Sequence, residues 1–196
     1  MGALLAVMTP LRLVNEAVLA VGRAIGVVAV AVMVAAILIQ VFYRYALNNA
    51  LPWPDEAARF CMLWMTGLMA PTAFRRGGFV SIDTLVRLLP KAVGALLSLL
   101  LLFMSLLVLI VAVQIGWSEV TGFAGRFATA SLYLPTDMSF ENWFRVPRSW
   151  MMASLLVGVV LLISVNVELI LRALVRMLGG GDQLPPVSLE EQVGAE

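Results

Sequence analysis

Trp53, Asp55, Glu56 and Arg59 stand at short, fixed spacings just ahead of an apolar run that contains Trp64. On a helix, Asp55 and Arg59 are four apart and Glu56 and Arg59 three apart, so all three charges share one face and can partly neutralise one another. One acid remains over, and it is either wet or paired with another segment. The chemistry on offer is ion pairing. Two readings stay open. Charge inside a bilayer marks a functional position, whereas a cluster at the membrane surface snorkels to water and marks nothing more.

Two further charged groups invite the same question. Asp83 and Arg87 are four apart, beyond a basic turn, Arg75-Arg76-Gly77-Gly78. Asn166 and Glu168 could hold an ion, but they lie near the end of an apolar run and are expected at the interface. Glu168 and Arg172 are an i,i+4 pair in the favourable order.

The residue inventory excludes much else. The chain has no histidine and one cysteine, Cys61. A thiolate–imidazole metal site, a Ser–His or Cys–His nucleophile and a haem held by two histidines therefore cannot be built. There is no Gly-rich phosphate loop and no carboxylate pair in the middle of an apolar run. No catalytic residue, metal ligand or cofactor is expected, and the chain reads as a non-enzyme. A net charge of +1 with no long basic run gives no reason to expect nucleic acid.

The elements that must position these residues are membrane helices. The chain is 62% hydrophobic and 13% charged, with mean hydropathy +0.99, far more apolar than a soluble domain. Ala24 to Tyr43 carries no charge, nor does Ala92 to Ser118, nor Ser149 to Val167. Each suffices for one crossing. Between Arg59 and Arg75 the uncharged run rises only roughly 22 Å, against a hydrocarbon core of about 30 Å. That helix spans only if its acidic first turn enters the membrane region. The expected fold is an all-α membrane protein with spans near 22–44, 55–75, 92–118 and 149–172. Ile82, Leu85, Val86 and Leu89 fall on one helical face, predicting an interfacial amphipathic helix over about 81–89. Residues 1–178 would form one domain and 179–196 a polar, disordered tail, with Gly179-Gly180-Gly181 ending the last helix.

Local signals add detail. Leu4, Leu5, Met8 and Leu11 predict a lead-in helix interrupted near Pro10, and the N-terminus is a poor signal peptide. Gly22 and Gly26, and Ser154 and Gly158, are small-xxx-small pairs that allow close helix approach. Gln40 is expected to make an interfacial hydrogen bond. Pro71 should kink the second span. Residues 119–148 read as a helical extension of span three plus an aromatic segment on the membrane, or equally as a docking surface. No span is broken at its centre and no repeat is evident, so the chain lacks the marks of a self-sufficient transporter. It reads as an accessory membrane subunit.

The run Trp53-Pro54-Asp55-Glu56-Ala57-Ala58-Arg59, the second tryptophan Trp64, the basic turn and Ser81-Ile82-Asp83-Thr84-Leu85-Val86-Arg87-Leu88-Leu89-Pro90 together carry a resemblance. It is to the DctQ-like small membrane subunit of tripartite ATP-independent periplasmic (TRAP) transporters. The chain departs from that pattern at Met69-Ala70-Pro71 and at Phe79-Val80. The resemblance implies a bacterial inner-membrane subunit that scaffolds a large permease. It also implies a periplasmic binding protein as partner and sodium-coupled uptake of an organic acid. Trp53, Asp55, Glu56, Arg59, Trp64, Asp83 and Arg87 are the candidate shape-holding or partner-contact residues, with membrane lipid around them. Two other classes compete: the small four-span subunit of a tripartite tricarboxylate transporter, and a membrane anchor with no transport role. Both termini are expected in the cytoplasm. That places Arg12, Arg23, Arg75, Arg76, Arg87, Lys91, Arg172 and Arg176 inside, eight of the 13 basic residues.

Overall fold

In a computed structural model, which describes residues 2–76, 90–135 and 143–180, the chain builds four long helices and one small hairpin. The first charge-free run belongs to helix α1, Gly2–Ala46, which continues through Pro10. The expected interruption there is not found. A proline removes one N–H and one hydrogen bond, and the helix runs on past that gap. Its buried positions, Met8, Asn15, Leu19, Gly22, Gly26, Ala36 and Gln40, recur at three- and four-residue steps and form one stripe. The flank beside that stripe exposes Val14, Val18, Val21, Ile25, Val28 and Val32.

Helix α2, Trp53–Arg75, has Pro54 in its first turn and Asp55 and Glu56 against the positive end of its dipole. Helix α3 is Lys91–Thr121 and helix α4 is Ser149–Met177. A Schellman cap closes α4. Gly179 adopts φ +83°, Gly180 N–H donates to Val175 O and Gly179 N–H to Arg176 O, as the glycine run predicted.

The helices stand mainly in a row, α1–α2–α4–α3, with a lesser contact between α1 and α4. Gly22 of α1 faces Leu68 of α2, and Asn15 of α1 reaches Glu168 of α4. Gly67 of α2 faces Ser154 and Gly158 of α4, and Gly116 of α3 faces Leu156 of α4. These pairings make α2 and α4 run the same way and α1 run opposite to both. A Cβ on Gly158 would lie 2.7 Å from Gly67 O and 2.8 Å from Gly67 Cα, so only glycine allows these backbones to meet. Pro71 is buried in α2 four residues beyond Gly67, so the Gly67 carbonyl has no in-helix N–H to accept from. Both small-residue pairs thus mark helix crossings.

Three helices are long and apolar enough to cross a membrane: Met8–Ala46, Val93–Thr121 and Ser149–Met177. The chain is a helical membrane protein. Helix α2, with its charged first turn, does not reach that standard by composition.

Between α3 and α4 the reading of residues 119–148 is corrected. The helical extension is present, ending at Thr121. After a single 3-10 turn, Ala124–Arg126, the chain forms strands β1, Ala128–Pro135, and β2, Trp143–Pro147, paired antiparallel. Thr129 and Val146 are buried between them, and the Thr129 hydroxyl donates to Val146 O at 2.7 Å. Alternation of Thr129, Ser131 and Tyr133 with apolar residues suits a strand with one covered face. The predicted interfacial helix 81–89, with Asp83 and Arg87, and the tail from residue 181 lie outside the described residues.

Candidate functional site: polar clamps at both ends of the second helix

At its start, α2 is fastened to the hairpin. Glu56 accepts from the backbone N–H of Ala130 at 2.8 Å, from the N–H of Ser131 and from the Ser131 hydroxyl at 2.7 Å. The same hydroxyl lies 2.8 Å from Pro52 O. Arg145 braces the seat from β2. It donates to Thr129 O and, at 2.9 Å, to Ala130 O, and its guanidinium lies 5.6 Å from the Tyr133 ring centre. Beside it Gln40 of α1 donates to Asp55 at 3.4 Å. The polar bond expected of Gln40 is therefore made, and it joins α1 to α2.

This geometry corrects the expected pairing with Arg59. Arg59 is exposed, and no ion pair joins it to Asp55 or Glu56 among the described residues. Backbone N–H groups of β1 satisfy Glu56 instead. Trp53 is exposed at the lip of α2. Trp64 lies three turns deeper beside Phe60, ring centres 6.3 Å apart. Its indole N–H is enclosed and has no acceptor among the described residues. The structure therefore brings Asp55 and Glu56 into contacts with other elements, and Arg59, Trp53 and Trp64 stand apart from them.

The other end of α2 carries a denser network. Arg75 donates from Nη2 to Glu168 Oε1 at 2.8 Å and from Nε to Oε2 at 3.1 Å. Arg172 donates to Glu168 Oε1 at 3.1 and 3.0 Å, so the i,i+4 pair read from sequence is present. Asn15 of α1 donates to Glu168 Oε2 at 2.8 Å, and the Ser164 hydroxyl is bonded to Asn15 Oδ1. Arg75 also reaches Glu16 at 3.3 Å. Three helices thus converge on one carboxylate.

Glu168 and Asn166 are each 0% exposed: near the end of α4, they are enclosed by neighbouring helices. A carboxylate can be buried there because two guanidiniums and an amide surround it. Asn166 turns toward α3, donating to Leu102 O at 3.3 Å and accepting from the Ser105 hydroxyl at 3.1 Å. Arg75 and Asn15 are partners that residue spacing does not reveal. No local spacing links them to Glu168, although a lone Asn and an acid–base pair on otherwise apolar faces were visible hints.

Among the described residues no group of three or more His, Cys, Asp or Glu is placed to hold a metal ion. The polar clusters join helices: Glu56 is bonded to the hairpin, and Glu168 to Arg75 of α2 and Asn15 of α1 as well as to Arg172 of its own helix. No curated protein matches the chain. The model of the family described as "Tripartite ATP-independent periplasmic transporters, DctQ component" matches residues 33–176, which include Glu56 and its hairpin seat, Arg75, Glu168 and Arg172, the Gly67–Gly158 crossing and most of α4. The chain belongs to that family, the small membrane subunits of TRAP transporters.

Proposed function

We propose that this chain is the fixed membrane part of a TRAP transporter, holding a large permease that moves solute by an elevator-type motion. The permease carries out sodium-coupled uptake of an organic acid delivered by a periplasmic binding protein. This chain binds no solute. Residues 1–178 form one domain in the bacterial inner membrane, 179–196 a tail, and both termini are cytoplasmic. The chain crosses four times, with α2 as the second crossing beside the three long apolar helices. The family match argues against the tricarboxylate-transporter and plain-anchor readings.

The observation that carries this reading is the double fastening of α2. From Glu56, held by the hairpin, to Arg75, held by Glu168, the helix rises about 29 Å, close to a bilayer core of about 30 Å. A helix pinned at both membrane faces to both neighbours cannot slide vertically. That is what a moving carrier needs beside it. The row of helices also leaves broad apolar flanks on α1 and α3 for lipid and permease.

The test is uptake in proteoliposomes containing the permease and the binding protein, with and without this chain. Uptake that depends on the chain, with no transport by the chain alone, is the expected result. Transport by the isolated chain, or unchanged uptake without it, would overturn the proposal.

A further inference from the structure

At the Glu168 end a cavity of about 170 Å³ opens between α1 and α2, lined by Glu16, Leu19, Arg23, Thr72, Arg75 and Arg76. Arg75 is engaged by Glu168 and Glu16. Arg23 and Arg76 have no ion-pair partner among the described residues. Thr72 is only 7% exposed, and its buried hydroxyl has no partner there either. A helical threonine can bond the carbonyl one turn back; the Thr72 hydroxyl has no partner among the described residues while the residue lines the cavity, so a turn of its side chain would present a donor there.

The depth of the cavity narrows the choice of ligand. Helix α1 is uncharged between Arg44 and Arg23, a rise of about 32 Å that matches a hydrocarbon core. Arg23 therefore stands at headgroup level. On the core side of Arg23, α1 exposes Ile25, Val28 and Val32, an apolar flank on which acyl chains can lie. We propose that this cavity binds the phosphate of an anionic phospholipid from the leaflet at the arginine-rich end, with Arg23 and Arg76 supplying charge and Thr72 a hydroxyl donor. The lipid would be a wedge between α1 and α2, next to the network on Glu168.

Native mass spectrometry of the full chain with its permease tests this, using phosphatidylglycerol and phosphatidylcholine with the same acyl chains. Wild type is expected to retain phosphatidylglycerol preferentially. Replacing Arg23 and Arg76 by Gln should weaken retention about fivefold for each arginine. Replacing both by Lys should preserve most of it, and Thr72→Val should lose a few-fold. Arg44→Gln, at the other end of α1, serves as control and should change nothing. The proposal is overturned if the two lipids are retained equally, or if Arg44→Gln weakens retention as much as the cavity variants do. Inorganic phosphate provides a separate arm. If millimolar phosphate binds alone and displaces the lipid, the cavity is a site for free phosphate and the lipid assignment fails.

Discussion

Arg75 and Glu168 are 93 positions apart, and they meet at 2.8 Å around a carboxylate with no exposed surface. The pair joins α2 to α4 directly and α1 indirectly, since Asn15 uses the second carboxylate oxygen. Removing Glu168 leaves two buried guanidiniums facing each other. Glu168→Ala is expected to destabilise the folded chain by about 3–5 kcal/mol, read as a fall in unfolding midpoint in detergent. Arg75→Met should cost a similar amount. Arg76→Met, which changes an exposed side chain one position on, should cost less than about 0.5 kcal/mol. Equal effects of Arg75→Met and Arg76→Met would mean that the network does not support the fold.

The Gly67–Gly158 crossing makes a second prediction. Gly158→Ala places a methyl group 2.7 Å from backbone oxygen that cannot move without separating α2 from α4. Overpacking of this kind costs about 1–3 kcal/mol. Gly22→Ala meets Leu68 O at 3.3 Å and should cost less. Thermal unfolding of the two variants side by side gives the order. A Gly158→Ala protein as stable as wild type would show that the helices pack less closely than described.

Some of this architecture is readable from residue order and some is not. Charge-free runs locate α1, α3 and α4, because lipid excludes charge over a fixed length. Small residues mark where helices touch, because only they let backbones approach. The Glu168–Arg172 pair is local and follows from helical spacing. Arg75–Glu168 is not local, and no periodicity joins positions so far apart. Glu56 is misleading for a different reason. Its partners are backbone N–H groups of Ala130 and Ser131, which every non-proline residue carries, so the side-chain sequence points instead to nearby Arg59. The hairpin escaped because its strands are short and lie among prolines and aromatics that equally suit a membrane-surface segment.

The Glu56 seat separates two residues that the sequence groups together. Glu56→Ala removes a charged acceptor from three donors in β1, a loss of about 1.5–3 kcal/mol per charged hydrogen bond at most, reduced where water replaces it. The hairpin should then loosen from α2, seen as faster amide hydrogen exchange at Ala130 and Ser131. Arg59→Ala should leave that exchange unchanged, since Arg59 is exposed and unpaired with Glu56 among the described residues. If both variants behave alike, Glu56 and Arg59 act as a pair after all and the hairpin contact is secondary.

The proposed crossing of α2 yields the last prediction. Contacts run α1 against α2 and α4, so Glu56 and the hairpin stand at one end of the bundle and Glu168 at the other. If α2 crosses the membrane, cysteines placed at these two ends must face opposite compartments. With Cys61→Ser as background, Tyr133→Cys in the hairpin should react with an impermeant maleimide added to intact spheroplasts. Arg176→Cys, near the end of α4, should react only after the membrane is opened. A reporter fused after Glu196 should be active in the cytoplasm. The excess of arginines at the Glu168 end sets that direction through their retention on the cytoplasmic side. Labelling of both cysteines from outside would mean that α4 does not cross, and α2, fastened alongside α4 and the hairpin at its two ends, would not cross either. Labelling of Arg176→Cys alone would keep four crossings and invert the orientation.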